Sequence, residues 1–171
     1  MGNVFMRRLL LTIGLTVLMT SLAQAEVFKI PEDGVGFSID VPDSWNPNVS
    51  DNMIDTTSPD RVIFFWIAVE KKPDVATVRA AALKALTRNG MKIDQAGAKE
   101  TTSAFAGLDS TEAQYSATDN NNQPRLVRIR TAQLDGKRFL QLVQWGPSAA
   151  FDKHAAALAK MLASVKVTGK E

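Results

Sequence analysis

The chain holds a single histidine, His154, and no cysteine. Nucleophilic catalysis by serine or cysteine needs a base beside the nucleophile, so that chemistry would have to pass through this one ring. His154 falls between Phe151 and Leu158 at the edge of an apolar stripe. Its plainer role is a helix-surface ring that packs, with a general base or ligand as the alternative. One imidazole without thiolates leaves zinc only carboxylates to bind. No G-x-S-x-G, phosphate-binding loop or G-x-G-x-x-G occurs, so we assign no catalytic residue, metal ligand or cofactor.

Carboxylates could still do acid–base work or hold a hard cation. Asp40, Asp43, Asp51 and Asp55 fall close together, and Asp119-Asn120-Asn121-Asn122 forms a second oxygen-rich stretch. Neither has the central glycine and terminal glutamate of a calcium loop, so polar turn chemistry is the simpler reading and a weak calcium site the alternative. Asn48-Val49-Ser50 fits a glycosylation sequon, which an exported bacterial protein would ordinarily leave unused.

Arg128 and Arg130 form the sharpest binding pattern. Two arginines at i and i+2 of a strand project the same way, and guanidinium forks suit carboxylate or phosphate groups. Asp135-Gly136 follows, a strong hairpin signal between Arg125 to Leu134 and Lys137 to Trp145. A two-residue turn there pairs Ile129 with Leu142 and Thr131 with Leu140. The opposite face then gathers Arg128, Arg130, Gln141, Val143 and Trp145, and we take Arg128, Arg130, Gln141 and Trp145 as the candidate binding residues. The competing expectation is that both arginines pair with Glu112 and Gln114 and lie beneath the acidic N-terminal segment.

The elements that must position these residues are legible from periodicity. Phe37, Ile39 and Val41 alternate with Ser38 and Asp40, a half-buried strand that Pro42 ends because it has no N–H for the ladder. Trp45 then has a ring to bury. Residues 46 to 60 read as loop around a short strand near Met53 to Thr56. VIFFWIAV at residues 62 to 69 has apolar residues on both faces, so we expect a central strand covered on each side. Asp74 caps a helix whose face is Val75, Val78, Ala82 and Leu86, ended by Asn89-Gly90. One strand and a turn should lie between Lys92 and Gly107, then a strand from Leu108 to Thr118. After Gly146-Pro147-Ser148, one last helix carries Phe151, Ala155, Leu158, Leu162 and Val165 on its apolar side. The order β-β-β-α-β-β-β-β-α predicts an α+β fold, an α/β/α sandwich with a largely antiparallel central sheet and two main amphipathic helices.

Residues 1–25 differ from the rest: Arg7-Arg8, an apolar run from Leu9 to Met19, then Ala23-Gln24-Ala25. This is the pattern of a secretory signal peptide cleaved after Ala25, and its apolar run is too short to span a bilayer. The expectation is a soluble periplasmic protein with no membrane span after cleavage. Removing the leader takes two arginines from the 20 basic residues and leaves 18 against 18 acids, so the +2 charge falls to zero. A neutral chain has no global field to draw it to nucleic acid. The charge is uneven, since residues 26–60 hold one lysine and eight acids. We expect that segment to pack over a basic sheet. The remaining 146 residues, without a disulfide or linker, suit one domain over 26–171.

G-F-S-I-x-x-P-x-x-W at residues 36 to 45, the apolar strand and capped helix after it, Gly107-Leu108 before the Tyr115 strand, and the Asp135-Gly136 hairpin leading to a C-terminal amphipathic helix follow one another in a recognisable order. In that order the chain resembles the PsbP-like group, particularly its bacterial DcrB-like branch, over residues 27 to 168. The resemblance implies an α/β/α sandwich and a partner-binding role, since such folds serve as a photosystem extrinsic subunit, a Ran-binding protein, envelope lipoproteins and effector adaptors. It carries no catalytic residues with it. The chain departs from the DcrB pattern in lacking a lipoprotein cysteine. Together these readings imply a non-enzymatic periplasmic binding or assembly protein with a protein or cell-envelope partner. The alternatives are a carrier or chaperone for a hydrophobic ligand or segment, then a carboxylate- or metal-dependent hydrolase; oligomeric state is left open.

Overall fold

The structure, a computed structural model, describes residues 25–169. Residues 1–24, which hold nearly all of the expected signal peptide, lie outside the described residues. The strands are β1 (Ala25–Ile30), β2 (Gly36–Pro42), β3 (Asn48–Ser50), β4 (Met53–Thr57), β5 (Phe64–Lys71), β6 (Lys92–Ile93), β7 (Lys99–Phe105), β8 (Leu108–Thr118), β9 (Pro124–Gln133), β10 (Arg138–Gly146) and β11 (Lys166–Thr168). The helices are α1 (Val75–Arg88), α2 (Ser148–Lys153) and α3 (Ala155–Ser164). The α+β class and the antiparallel sheet therefore stand.

Eight strands form the large sheet, in the order β3-β4-β5-β10-β9-β8-β6, with β7 also paired to β8. A second sheet, β1-β2-β11, lies with α2 and α3 on one face of the large sheet, and α1 lies on the other. The third layer is thus part helix and part sheet. Its core joins Phe37, Ile39 and Val41 of β2 to Phe65, Ile67, Leu140 and Leu142, with Phe151, Leu158 and Met161 from the helices. On the α1 side, Val127, Ile129 and Val143 meet Ala82, Leu83 and Leu86, and Ala113, Tyr115 and Ala117 extend this second core along β8.

Local chemistry accounts for most boundaries. Asp74 accepts a hydrogen bond from the Thr77 amide at 2.7 Å and starts α1, and this backbone donor holds its carboxyl below the ordinary carboxylate value. Pro42 ends β2, and Trp45 closes a short 3-10 turn over Asp43–Trp45 with its ring buried. Ala106 and Gly107, both at positive φ (54° and 76°), make the two-residue turn between β7 and β8.

Three expectations are corrected. The last helix is two: the backbone breaks at His154 (φ −101°, ψ 10°), where the ring is held by the loop before β5, and the buried stripe becomes Phe151, Leu158 and Met161 while Ala155 is exposed. Four strands, β1, β3, β6 and β11, add to the expected order. Finally β5 is interior to the sheet, fully covered on one face and only partly on the other, where Ala68 is buried and Trp66 packs against the α1-side core. Phe65 and Ile67 are fully buried, whereas Phe64 on the other face is 37% exposed and Trp66 half-buried.

A candidate binding surface on the uncovered sheet face

The hairpin that should gather the four candidate residues divides them. Leu134 and Arg138 are bonded across its end, with the Leu134 amide 2.9 Å from the Arg138 carbonyl, so the loop is Asp135-Gly136-Lys137 and holds three residues instead of two. Asp135 supports it by accepting from the Lys137 and Arg138 amides at 3.0 and 2.9 Å. One extra loop residue shifts the pairing by one, and a one-residue shift exchanges the faces of a strand. Arg130 lies opposite Leu142 and Arg128 opposite Gln144, toward α2 and α3. Gln141 and Trp145, opposite Thr131 and Val127, face the α1 side. The expected pairs Ile129–Leu142 and Thr131–Leu140 do not form.

Each of the four has a separate environment. Arg130 binds Glu112, with Nη2 at 2.6 Å and Nε at 2.9 Å from Oε2, and its guanidinium stands 5.2 Å from the Phe105 ring centre. Arg128 stands 4.5 Å over the Phe151 ring and has no carboxylate partner among the described residues; its Nε is buried without a hydrogen bond. Gln141 is buried, and its Nε2 donates to the Val78 carbonyl at 2.9 Å, fastening α1 to the sheet. The pairing of Arg130 with Glu112 was one of the two sequence expectations. The acidic N-terminal segment does not cover the arginines: Asp60 reaches Lys153 and His154 instead, and Asp55 accepts from Asn48.

Trp145 belongs to the one assembly with an open side. Its ring stacks on Phe64, its cross-strand partner, at 4.9 Å and 11°, and meets Trp66 edge-on at 5.2 Å and 69°. Helix α1 packs on β9 and β10, so it stops short of the outer part of this face. At its C-terminal end, Met91, Phe64 and Trp145 form the apolar part of a 580 Å³ cleft rimmed by Arg61 and Arg125. Gly146 permits the close approach that frames it, because a Cβ there would stand 2.6 Å from the Val62 carbonyl oxygen. Arg125 is neutralised by Asp119 at 2.6 Å. The Gln123 amide above all, then the Asn121 amide and Arg125, hold the Asp119 carboxyl below its ordinary value, so the turn of the second oxygen-rich stretch employs its carboxylate internally. Arg61, exposed and at φ 58°, has no such partner among the described residues. An aromatic floor with an arginine at its rim is the composition of a binding hot spot.

Phe64 and Trp66 are absent from the candidates read out of the sequence. The usable signal was bulk: the third and fifth residues of VIFFWIAV, Phe64 and Trp66, stand beside Trp145, more ring than a 14-residue helix on neighbouring strands can cover.

His154 supplies the contrast. Its Nε2 lies 3.0 Å from both carboxylate oxygens of Asp60, and its ring meets Trp45 edge-on at 5.7 Å. Ser58, wholly buried, donates to Asp60 at 2.5 Å and accepts from the Val62 and Ile63 amides. Serine, carboxylate and imidazole are all present, but the carboxylate sits between the other two. The imidazole does not reach the serine hydroxyl, which donates to the Asp60 carboxylate and is shut away from substrate. The set clamps the loop before β5 to the break between α2 and α3. Among the described residues no three of His, Cys, Asp and Glu converge as metal ligands. No helix among them is long and apolar enough to cross a membrane.

No protein-family model matches the sequence, and no curated protein matches it by sequence. Solved structures do match in three dimensions. The crystal structure of LpqN, involved in cell envelope biogenesis of Mycobacterium tuberculosis, aligns with a TM-score of 0.53 at 18% identity, covering 85% of this chain and 91% of that one. Mog1p, a Ran-binding protein of Saccharomyces cerevisiae, aligns at 0.50 and 11% identity over 84% of this chain and 95% of its own. Cyanobacterial PsbP (CyanoP) from Synechocystis sp. PCC 6803 aligns at 0.55 and 10% identity over 87% of this chain and 95% of its own. At these identities it is the architecture that is shared, and by it this chain has a PsbP-like fold.

Proposed function

We propose that this chain is a non-enzymatic binding or assembly protein, exported to the periplasm by the signal pattern of residues 1–25, whose partner is a protein or an envelope component. The observation that carries the reading is the group Phe64, Trp66 and Trp145 on a sheet face that α1 covers only in part, leaving Phe64 37% exposed. Aromatic rings left in contact with water on a folded domain gain most when a partner covers them. The similarity to an envelope-biogenesis protein and a Ran-binding protein supports the same reading, as does the resemblance of the sequence to the DcrB-like branch. The carrier alternative needs an apolar helix face free to accept cargo, but Phe151, Leu158 and Met161 are already packed into the main core.

Site-specific photo-crosslinking in the native cell tests the proposal. A photoreactive residue at Phe64 should capture a discrete partner, and the same residue at exposed Lys160 on α3 should not. Equal capture at both positions, or none at Phe64, contradicts it.

A further inference from the structure

The large sheet has two outer edges of different character. On one side β3 spans only Asn48–Ser50, directly after Pro47, which is a short and blunted edge. On the other side β7 runs from Lys99 to Phe105 in unbroken register with β8, and every residue but Phe105 is exposed. Beyond that ladder, the one hydrogen bond to its backbone among the described residues comes from the Ser110 hydroxyl to the Ser103 carbonyl. Charge guards only its first two positions, Lys99 and Glu100, and Glu100 is already paired with Arg79 of α1. Thr101-Thr102-Ser103-Ala104 follow with no charge, proline or bulge, so their outward N–H and C=O groups form a ready template for another strand.

Grooves meet this stretch on both faces. On the α1 side one is lined by Thr102, Asp109, Thr111 and Thr131; Asp109 is exposed without a cationic partner, and the Thr131 hydroxyl is buried without a hydrogen bond. On the α3 side the other is mixed: Phe105, Leu162 and Val167 form its apolar part, beside Arg130, which is paired with Glu112, and exposed Lys166. Successive residues of a strand point to opposite faces, so a strand added to β7 would send alternate side chains toward the acidic groove and toward the mixed one, whose cations disfavour basic side chains and whose Phe105–Leu162–Val167 part accepts apolar ones.

We propose that β7 is a strand-addition site for an extended segment of a protein partner in which basic and apolar side chains alternate. The main-chain ladder holds the segment, Asp109 selects the basic positions, and the Phe105–Leu162 groove selects the apolar ones. This surface is separate from the Phe64–Trp145 cleft and stands or falls without it.

An acetylated, amidated hexapeptide of alternating leucine and lysine is the probe, titrated into isotope-labelled protein lacking the leader and followed by amide NMR. The expected result is shifts and slowed hydrogen exchange at Thr101–Phe105 and Asp109, with the Phe64 and Trp145 amides unmoved. N-methylating the alternate peptide amides that face β7 should weaken binding at least tenfold, about the effect of losing 1.4 kcal/mol. Asp109→Lys should weaken the leucine–lysine peptide and strengthen a leucine–glutamate one. Absence of binding, affinity indifferent to N-methylation in both registers, or shifts confined to the Phe64 cleft overturns the proposal. Concentration-dependent protection of β7 in the protein alone also overturns it, since a second copy would then occupy the edge.

Discussion

Phe64 and Phe65 are neighbours in one strand and have opposite fates. Phe65 points beneath β2, α2 and α3 and is wholly buried, while Phe64 points to the α1 side and remains 37% exposed. The difference lies in cover, because a three-stranded sheet and two helices close one face, whereas α1 alone, ~21 Å long at the usual rise per residue, lies over β9 and β10. An apolar strand is therefore not by itself a doubly covered strand. Packing and ion pairs hold the closed face, whereas the other face leaves part of an aromatic ring in water.

The largest effect should come from breaking the closed side. Phe65→Ala removes a ring from the main core and should cost about 3–5 kcal/mol in chemical denaturation. Gln141→Ala removes the side-chain hydrogen bond that ties the sheet to the Val78 carbonyl and should cost about 1 kcal/mol while loosening α1, read by hydrogen exchange along Val75–Arg88. Replacing Arg128 and Arg130 together with Ala should cost about 1–2 kcal/mol from the lost Glu112 pair and two ring contacts, with partner capture at Phe64 unchanged. Loss of capture without loss of stability would instead return the arginines to the binding account.

The clamp on the closed side adds a pH dependence. Lys153 first, then Ser58 and His154, hold the Asp60 carboxyl well below its ordinary value, and Arg138 with the Lys137 amide holds Asp135 at about 2. Both folded values are depressed, so their stabilisation is present above the unfolded value of about 4 and is lost as pH falls through the folded ones. The melting temperature should hold steady above about pH 5 and fall between roughly pH 4 and 2. Asp60→Asn should flatten part of that fall.

Much of the molecule was legible because its signals are local. The Leu108–Thr118 strand follows from alternation and the start of α1 from the Asp74 cap, and both are found as expected. The hairpin was legible as a hairpin but not in register: Asp135-Gly136 suits loops of two or three residues, and the third, Lys137, is claimed by a hydrogen bond to Asp135 that no periodicity announces. That single residue moved Gln141 and Trp145 away from the arginines. The helix break at His154 was hidden for a similar reason, since it contains no glycine or proline and depends on Asp60, far away in sequence. Strand β11, only three residues long, follows directly on the apolar helical pattern that ends at Val165, and only its pairing with β2 identifies it.

We propose that the exposed Phe64 ring docks a partner and does little for the fold. Phe64→Ser tests it most directly when melting temperature and retention of the partner captured by the wild-type chain are measured on the same preparation. We predict a stability change of no more than about 1 kcal/mol with partner retention reduced at least tenfold. Undiminished retention, or a loss of stability as large as that of Phe65→Ala, would contradict it.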